Sequence, residues 1–172
     1  MKSRFHRFNI YFVLCASVLA GCETTEPGKH GKEASTLRVY LEVGFSSQAQ
    51  QSGVPIFRKA PVMVNIDREP FLTELDVYEA AVVDAPGGFS IRVTFNRHGA
   101  LLLENVSTLN KGRRAAIQSH FTETRWLAAP VLSNRISNSL RVFAPDATRE
   151  EAERIVRGLN NIAAKIRKQS SF

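Results

Sequence analysis

The chain has 172 residues, 44% of them hydrophobic and 23% charged, which is the composition of one soluble domain and excludes a disordered or membrane-embedded chain. Lys and Arg number 23 against 16 Asp and Glu, a formal net charge of +7 that raises nucleic acid or an anionic membrane as partner. Where those charges lie decides between the two.

Lys2, Arg4 and Arg7 precede the apolar run from Ile10 to Ala20, and small residues follow it. This is the layout of a secretory signal peptide. The run is also short of the roughly 20 apolar residues that cross a bilayer. Leu19-Ala20-Gly21-Cys22 resembles the lipobox of bacterial lipoproteins, in which a diacylglyceryl group is attached to the cysteine sulfur and a peptidase cuts just before it. Small Ala20 and Gly21 leave the thiol accessible, and Leu19 keeps the site in the apolar phase. The resemblance implies a signal over residues 1–21, cleavage between Gly21 and Cys22, and lipid on Cys22. A plain signal peptide or signal anchor with a chance cysteine is the alternative.

Cleavage there takes three basic and no acidic residues, leaving 20 Lys and Arg against 16 Asp and Glu, a net charge of +4. Much of the basicity is then targeting, and nucleic acid is not expected as a partner. Cys15 leaves with the signal and Cys22 carries lipid, so no disulfide or cysteine-based metal site is expected. Two or more acyl chains hold a protein firmly at a membrane. The expected location is the cell envelope, facing the periplasm. Glu23 rather than Asp after the cysteine favours the outer over the inner membrane.

Residues 22–35 read as the lipidated cysteine and a flexible tether, because Glu23 to Ser35 carries Pro, Gly and mixed charge without apolar periodicity. Its reach is roughly 20 Å. His30 has no second ligand nearby and reads as a solvated tether residue.

Residues 36–70 are expected to add strands to a sheet. Leu37, Val39, Leu41 and Val43 alternate with Arg38, Tyr40 and Glu42, the period of a half-buried strand. Ser46 to Gly53 reads as a polar loop, and Val62, Val64 and Ile66 mark another strand with Pro61 at its start. Tyr78 to Asp84 and Phe89 to Phe95 form a hairpin around Ala85-Pro86-Gly87-Gly88. Asn96 is placed to N-cap a helix whose apolar side is Leu102, Leu103, Val106 and Leu109, closed by Gly112. Arg113 to Phe121 pairs with Trp126 to Ile136, and Leu140 to Phe143 is a further short strand. Thr148-Arg149-Glu150-Glu151 is a capping box. The helix behind it has an apolar stripe of Ala152, Ile155, Val156, Leu159, Ile162, Ala163 and Ile166. The expected class is α+β, an antiparallel or mixed sheet with two helices packed on one face.

Phe89-Ser90-Ile91-Arg92-Val93-Thr94-Phe95-Asn96, Gly99, Thr108, Asn110, Gly112, Arg114-Ala115-Ala116-Ile117, Ala129-Pro130-Val131-Leu132, Ile136 and Thr148 to Ala152 follow one another in an order similar to a known family. Residues 71–172 resemble the head subdomain in the first periplasmic region of the SecD and SecF protein-export membrane proteins. Thr122-Glu123-Thr124-Arg125 departs from the family's Asp-Gly turn, and Ser137-Asn138-Ser139 from a glycine-richer one. The family's proton-coupled membrane helices have no counterpart after the signal.

No glycine-rich phosphate loop, H-E-x-x-H, C-x-x-C or G-x-S-x-G motif occurs. His98 and His120 could act as general bases but read as surface or packing residues, and Asp76, Asp84 and Glu104 lack metal-ligand spacing. An enzyme is not expected, nor a cofactor or metal. Phe121 and Trp126 flank a turn and are either core or an aromatic contact for a partner. The resemblance and the physics of open sheet edges imply a protein-binding module that takes translocating or unfolded polypeptide by strand addition, on Leu37 to Val43 or Leu140 to Phe143. The alternative is a lipoprotein that docks on one folded envelope partner such as a translocase.

Overall fold

The computed structural model describes residues 33–44 and 52–169. Gly21, Cys22, His30 and the signal lie outside the described residues, as do residues 46–51 of the expected polar loop. In chain order the elements are β1 (Thr36–Leu41), β2 (Ser52–Ile56), β3 (Val62–Ile66), β4 (Leu72–Thr73), a 3-10 turn (Glu74–Asp76), β5 (Val77–Ala85), β6 (Gly88–Phe95), α1 (Arg97–Leu109), β7 (Ala115–His120), β8 (Thr124–Ala128), β9 (Leu140–Phe143) and α2 (Arg149–Gln169). The strands pair antiparallel in three ladders, β4-β1-β7-β8, β2-β3 and β5-β6-β9. The α+β class with two helices is the one expected.

The main core lies between the first and third ladders. Leu37 and Val39 of β1, Ile117 of β7 and Leu127 of β8 meet Ile91, Val93 and Phe95 of β6 and Phe143 of β9 there. Both helices feed it, α1 through Leu103 and α2 through Ala152, Ile155, Val156 and Leu159. The β5-β6 hairpin closes as its residues dictate: Pro86 sits where a type II turn wants proline, and Gly87, at φ 82°, takes the left-handed place after it.

Several expectations change. β1 buries Leu37 and Val39 on one face and exposes Arg38 on the other, as expected, but the β2-β3 ladder covers Tyr40 on that second face. Tyr40, only 8% exposed, packs with Ile56, Val64, Ile66, Ala116 and Ala129 in a second core. Ser52 and Gly53 belong to β2 rather than to the loop, and Pro55 is tolerated because β2 pairs on one side only. Leu109 does not join the buried side of α1 and is 82% exposed. That side runs Gly99, Leu103, Ser107, and Leu109 lies about 200° around the helix from Ser107. Gly99 is needed there, as a Cβ would come within 2.8 Å of the Asp76 Cβ. β8 stops at Ala128 instead of running to Ile136, because its register shifts at Ile117/Gln118 and Pro130 interrupts the ladder. Pairing resumes around the Arg114–Val131 bridge, where Ala115 N–H donates to Pro130 C=O at 2.9 Å and Leu132 N–H to Arg113 C=O at 2.8 Å.

The last residues of the expected tether are seated on α2. Glu33 Oε2 is 3.0 Å from Arg157 Nε, the Asn161 amide donates to the Glu33 carbonyl at 2.9 Å, and Ser35 is buried against Gly158.

Candidate functional site

A sheet edge binds another chain only if its outward backbone groups are free, so each edge has to be followed residue by residue. In the third ladder, the Phe95 N–H donates to the Ser139 carbonyl at 2.7 Å, and the pairing continues in that register as Thr94–Leu140, Val93–Arg141, Arg92–Val142 and Ile91–Phe143. Antiparallel pairs alternate between hydrogen-bonded and non-hydrogen-bonded. Ser139, Arg141 and Phe143 therefore turn their backbone groups toward β6, and Leu140 and Val142 turn theirs away.

The same alternation sets the opposite edge. Val93 is committed to Arg141, so its β5 partner Ala80 points its N–H and C=O outward. Those two groups are taken by one side chain. Asn160 of α2 accepts from the Ala80 N–H at 2.8 Å and donates to the Ala80 carbonyl at 2.9 Å. The amide of Asn160 matches a backbone amide in its donor and acceptor, and α2 stands where a further strand would pair. Two residues earlier, Arg167 donates to the Tyr78 carbonyl at 2.6 Å and lies 4.9 Å from the Tyr78 ring centre. β5 is covered at Tyr78 and Ala80, whereas its outward backbone groups at Val82 and Asp84, set by the same alternation against Ile91 and Phe89, meet no hydrogen bond among the described residues.

β9 has no such cover: among the described residues no hydrogen bond reaches the outward groups of Leu140 or Val142, and the Val142 side chain is exposed. Of the two strands expected to accept a polypeptide, β9 is an edge. Leu37 to Val43 is not. β1 is central, between β4 and β7, and its continuation is bonded through Val43 N–H to Asn65 C=O and Glu42 N–H to Arg114 C=O, each at 2.9 Å. The short β4, over which Phe71 N–H meets Val39 C=O, claims the side that the sequence leaves open.

Phe121 and Trp126 do not come together. Phe121 packs against the main core with the Arg125 guanidinium 5.4 Å from its ring, whereas Trp126 packs in the second core, edge-on to Tyr40 at 5.4 Å. His98 Nδ1 lies 2.8 Å from Asp76 Oδ1, and Asp76, buried, also accepts from the Thr73 N–H. His120 meets the Thr124 hydroxyl at 2.9 Å, and no hydrogen bond joins it to His98. Asp84 pairs with Arg149 and Glu104 with Arg135. Among the described residues no group of three or more His, Cys, Asp or Glu is placed to hold a metal ion, and no helix is long and apolar enough to cross a membrane.

The electrostatic centre of the molecule was not foreseen. Arg125, in β8, grips Glu151 with both nitrogens at 2.6 and 3.2 Å and donates to the Asp146 carbonyl at 2.7 Å. Arg58 reaches the same group from the β2-β3 loop, its N–H on Asp146 Oδ2 at 2.7 Å. The Arg125 hydrogen bond holds the Glu151 carboxyl down at about 2, against burial, with the Thr148 N–H adding to it. The same bond raises Arg125.

No protein-family model matches the sequence, nor does any curated protein. Among solved structures the chain is similar to a membrane component SecDF that enhances protein export, with a TM-score of 0.53 and 22% identity over 75% of this chain and 63% of that one. It is likewise similar to SecDF in a super-membrane-facing form, with a TM-score of 0.55 and 22% identity over 75% of this chain and 19% of that one. The chain spans less than two thirds of either. The SecD/SecF-like fold expected from the sequence is the fold it has.

Proposed function

We propose that the chain is a lipid-anchored protein of the cell envelope that binds extended polypeptide by strand addition in support of protein export, and that it is not an enzyme. The observation that carries the binding is the β9 edge itself, whose outward groups at Leu140 and Val142 are open beside a β5 strand that Asn160 and Arg167 cover at Ala80 and Tyr78. Main-chain hydrogen bonds to such an edge hold a chain without reading much of its sequence, which suits a client that is unfolded. The likeness to a component that enhances protein export supports clients in transit. In this reading the lipid on Cys22 supplies the membrane attachment.

Replacement of Val142 by proline tests the binding. It removes an outward N–H and leaves the β6 ladder intact, so capture of a labelled unfolded polypeptide should fall at least about tenfold. Undiminished capture by a folded Val142→Pro protein rules β9 out. Cys22→Ser should move the protein from the membrane fraction to the soluble one, and retention in membranes would refute the lipid anchor.

Docking on one folded partner is favoured by a different place, the β2-β3 loop. Phe57 holds φ 69° there, unusual for a residue with a side chain, and Met63 is 64% exposed beside exposed Val62. Crosslinking in cells separates the two, since many heterogeneous bands mean clients and one discrete band means a docked partner.

A further inference from the structure

Arg141 stands in the middle of the β9 edge strand. It shares a face with Phe143, since side chains two apart point the same way, and Phe143 is buried. Its side chain accordingly turns inward and lines a cavity of about 20 Å³ between the two larger ladders, whose other walls include Leu37, Val93, Phe95, Leu103 and Leu132. Every other lining side chain is apolar.

Four other arginines are matched by carboxylates, Arg125 by Glu151, Arg157 by Glu33, Arg135 by Glu104 and Arg149 by Asp84, and the part-buried Arg114 donates to the Ala129 carbonyl. Arg141 has neither an ion pair nor a side-chain hydrogen bond among the described residues, and burial pulls its pKa below the ordinary arginine value. The cation is half-buried and uncompensated.

We propose that the β9 edge selects extended segments that carry a carboxylate opposite Arg141, with neighbouring apolar side chains resting on the mouth of the cavity. The inference rests on the reading of β9 as a strand-addition edge and names the class of polypeptide it takes. Side chains directly opposite in an antiparallel pair stand about 5 Å apart at Cβ, within reach of a guanidinium fork. A carboxylate there completes the pairing that Arg141 lacks. A wholly apolar strand would bury the guanidinium without a partner, and β9 of a second copy would set arginine against arginine. The same side chain thus admits acidic-apolar segments and turns away uniformly apolar ones, self-association included.

The test is the affinity of the full chain for short labelled peptides of alternating Val and Thr that carry either Glu or Gln at the centre, each with a free or an amidated C-terminus. The Glu peptide should bind roughly tenfold tighter than its Gln twin. That ratio should fall to about one in Arg141→Gln and persist in the charge-keeping Arg141→Lys. A gain that follows the free C-terminus and depends on Arg141 supports the same carboxylate chemistry, with a chain end as its source. Equal binding of all four peptides, still abolished by Val142→Pro, overturns the selectivity and leaves strand addition standing. So does a Glu-over-Gln ratio that survives in folded Arg141→Gln. Binding that Val142→Pro does not diminish overturns strand addition itself.

Discussion

Glu151 does three things from one side chain. It closes the capping box of α2 by accepting from the Thr148 N–H at 2.8 Å, it takes both nitrogens of Arg125, and it lies 3.9 Å from Arg58 Nη2. The first was legible in the sequence because Thr148 and Glu151 are three residues apart and the motif is local. The second was not, because Arg125 is 26 residues away and only the approach of β8 to the helix start brings it in. The physical sign is unambiguous. The carboxyl is held at about 2 against an ordinary 4.5, so its stabilisation is fully present above pH 4.5 and is lost as pH falls toward 2. Since Glu151 is about a quarter exposed, the contribution is discounted for solvent screening to about 2 kcal/mol. Urea unfolding of Glu151→Gln should show that loss near pH 7, less than about half of it near pH 3, and little of it near pH 2. A difference between the two proteins that does not shrink with acid would show that Glu151 acts by packing.

At the scale of elements, period reads what is local and loses what a neighbouring layer decides. The strand alternation of Phe89 to Phe95, the Asn96 cap and the apolar stripe of α2 were all visible, because each is written in spacings of two, three or four residues. The Asn96 side chain accepts from the Gly99 N–H at 2.9 Å as the sequence implies. What failed was assignment of faces and edges. The residues between Leu37 and Leu41 alternate as a half-buried strand does, with Arg38 exposed, yet the β2-β3 ladder covers Tyr40 on that side and β4 and β7 flank the strand. Nothing in β1 itself announces either cover. Asn160 is the same kind of case, a polar residue in a helix whose role lies entirely in the backbone of β5, 80 residues away. Its replacement by alanine leaves two backbone groups of Ala80 without partners at a position held against α2. The expected loss is about 2 kcal/mol of stability, with concentration-dependent association as the β5 edge opens. Asn160→Ala at wild-type stability, monomeric over the same concentrations, would mean that Ala80 finds other partners.

Across the whole molecule, two larger ladders and two helices share one core, and a small hairpin ladder roofs a second. The family likeness was legible from short pieces in the right order, and the fold agrees at 22% identity. Phe121 and Trp126, read from the sequence as either core or an aromatic contact for a partner, pack against different cores. The arrangement leaves β9 open at Leu140 and Val142 while β5 is covered at Tyr78 and Ala80, and strand addition depends on that open edge. Residue-resolved amide hydrogen exchange, with and without an acidic-apolar peptide, reads it directly. In the free protein the Leu140 and Val142 amides should exchange rapidly while Arg141 and Phe143, bonded to β6, are protected; bound peptide should slow Leu140 and Val142 alone within β9. Protection appearing at the β2-β3 loop instead, or unchanged exchange at Val142 with peptide bound, would contradict strand addition at β9.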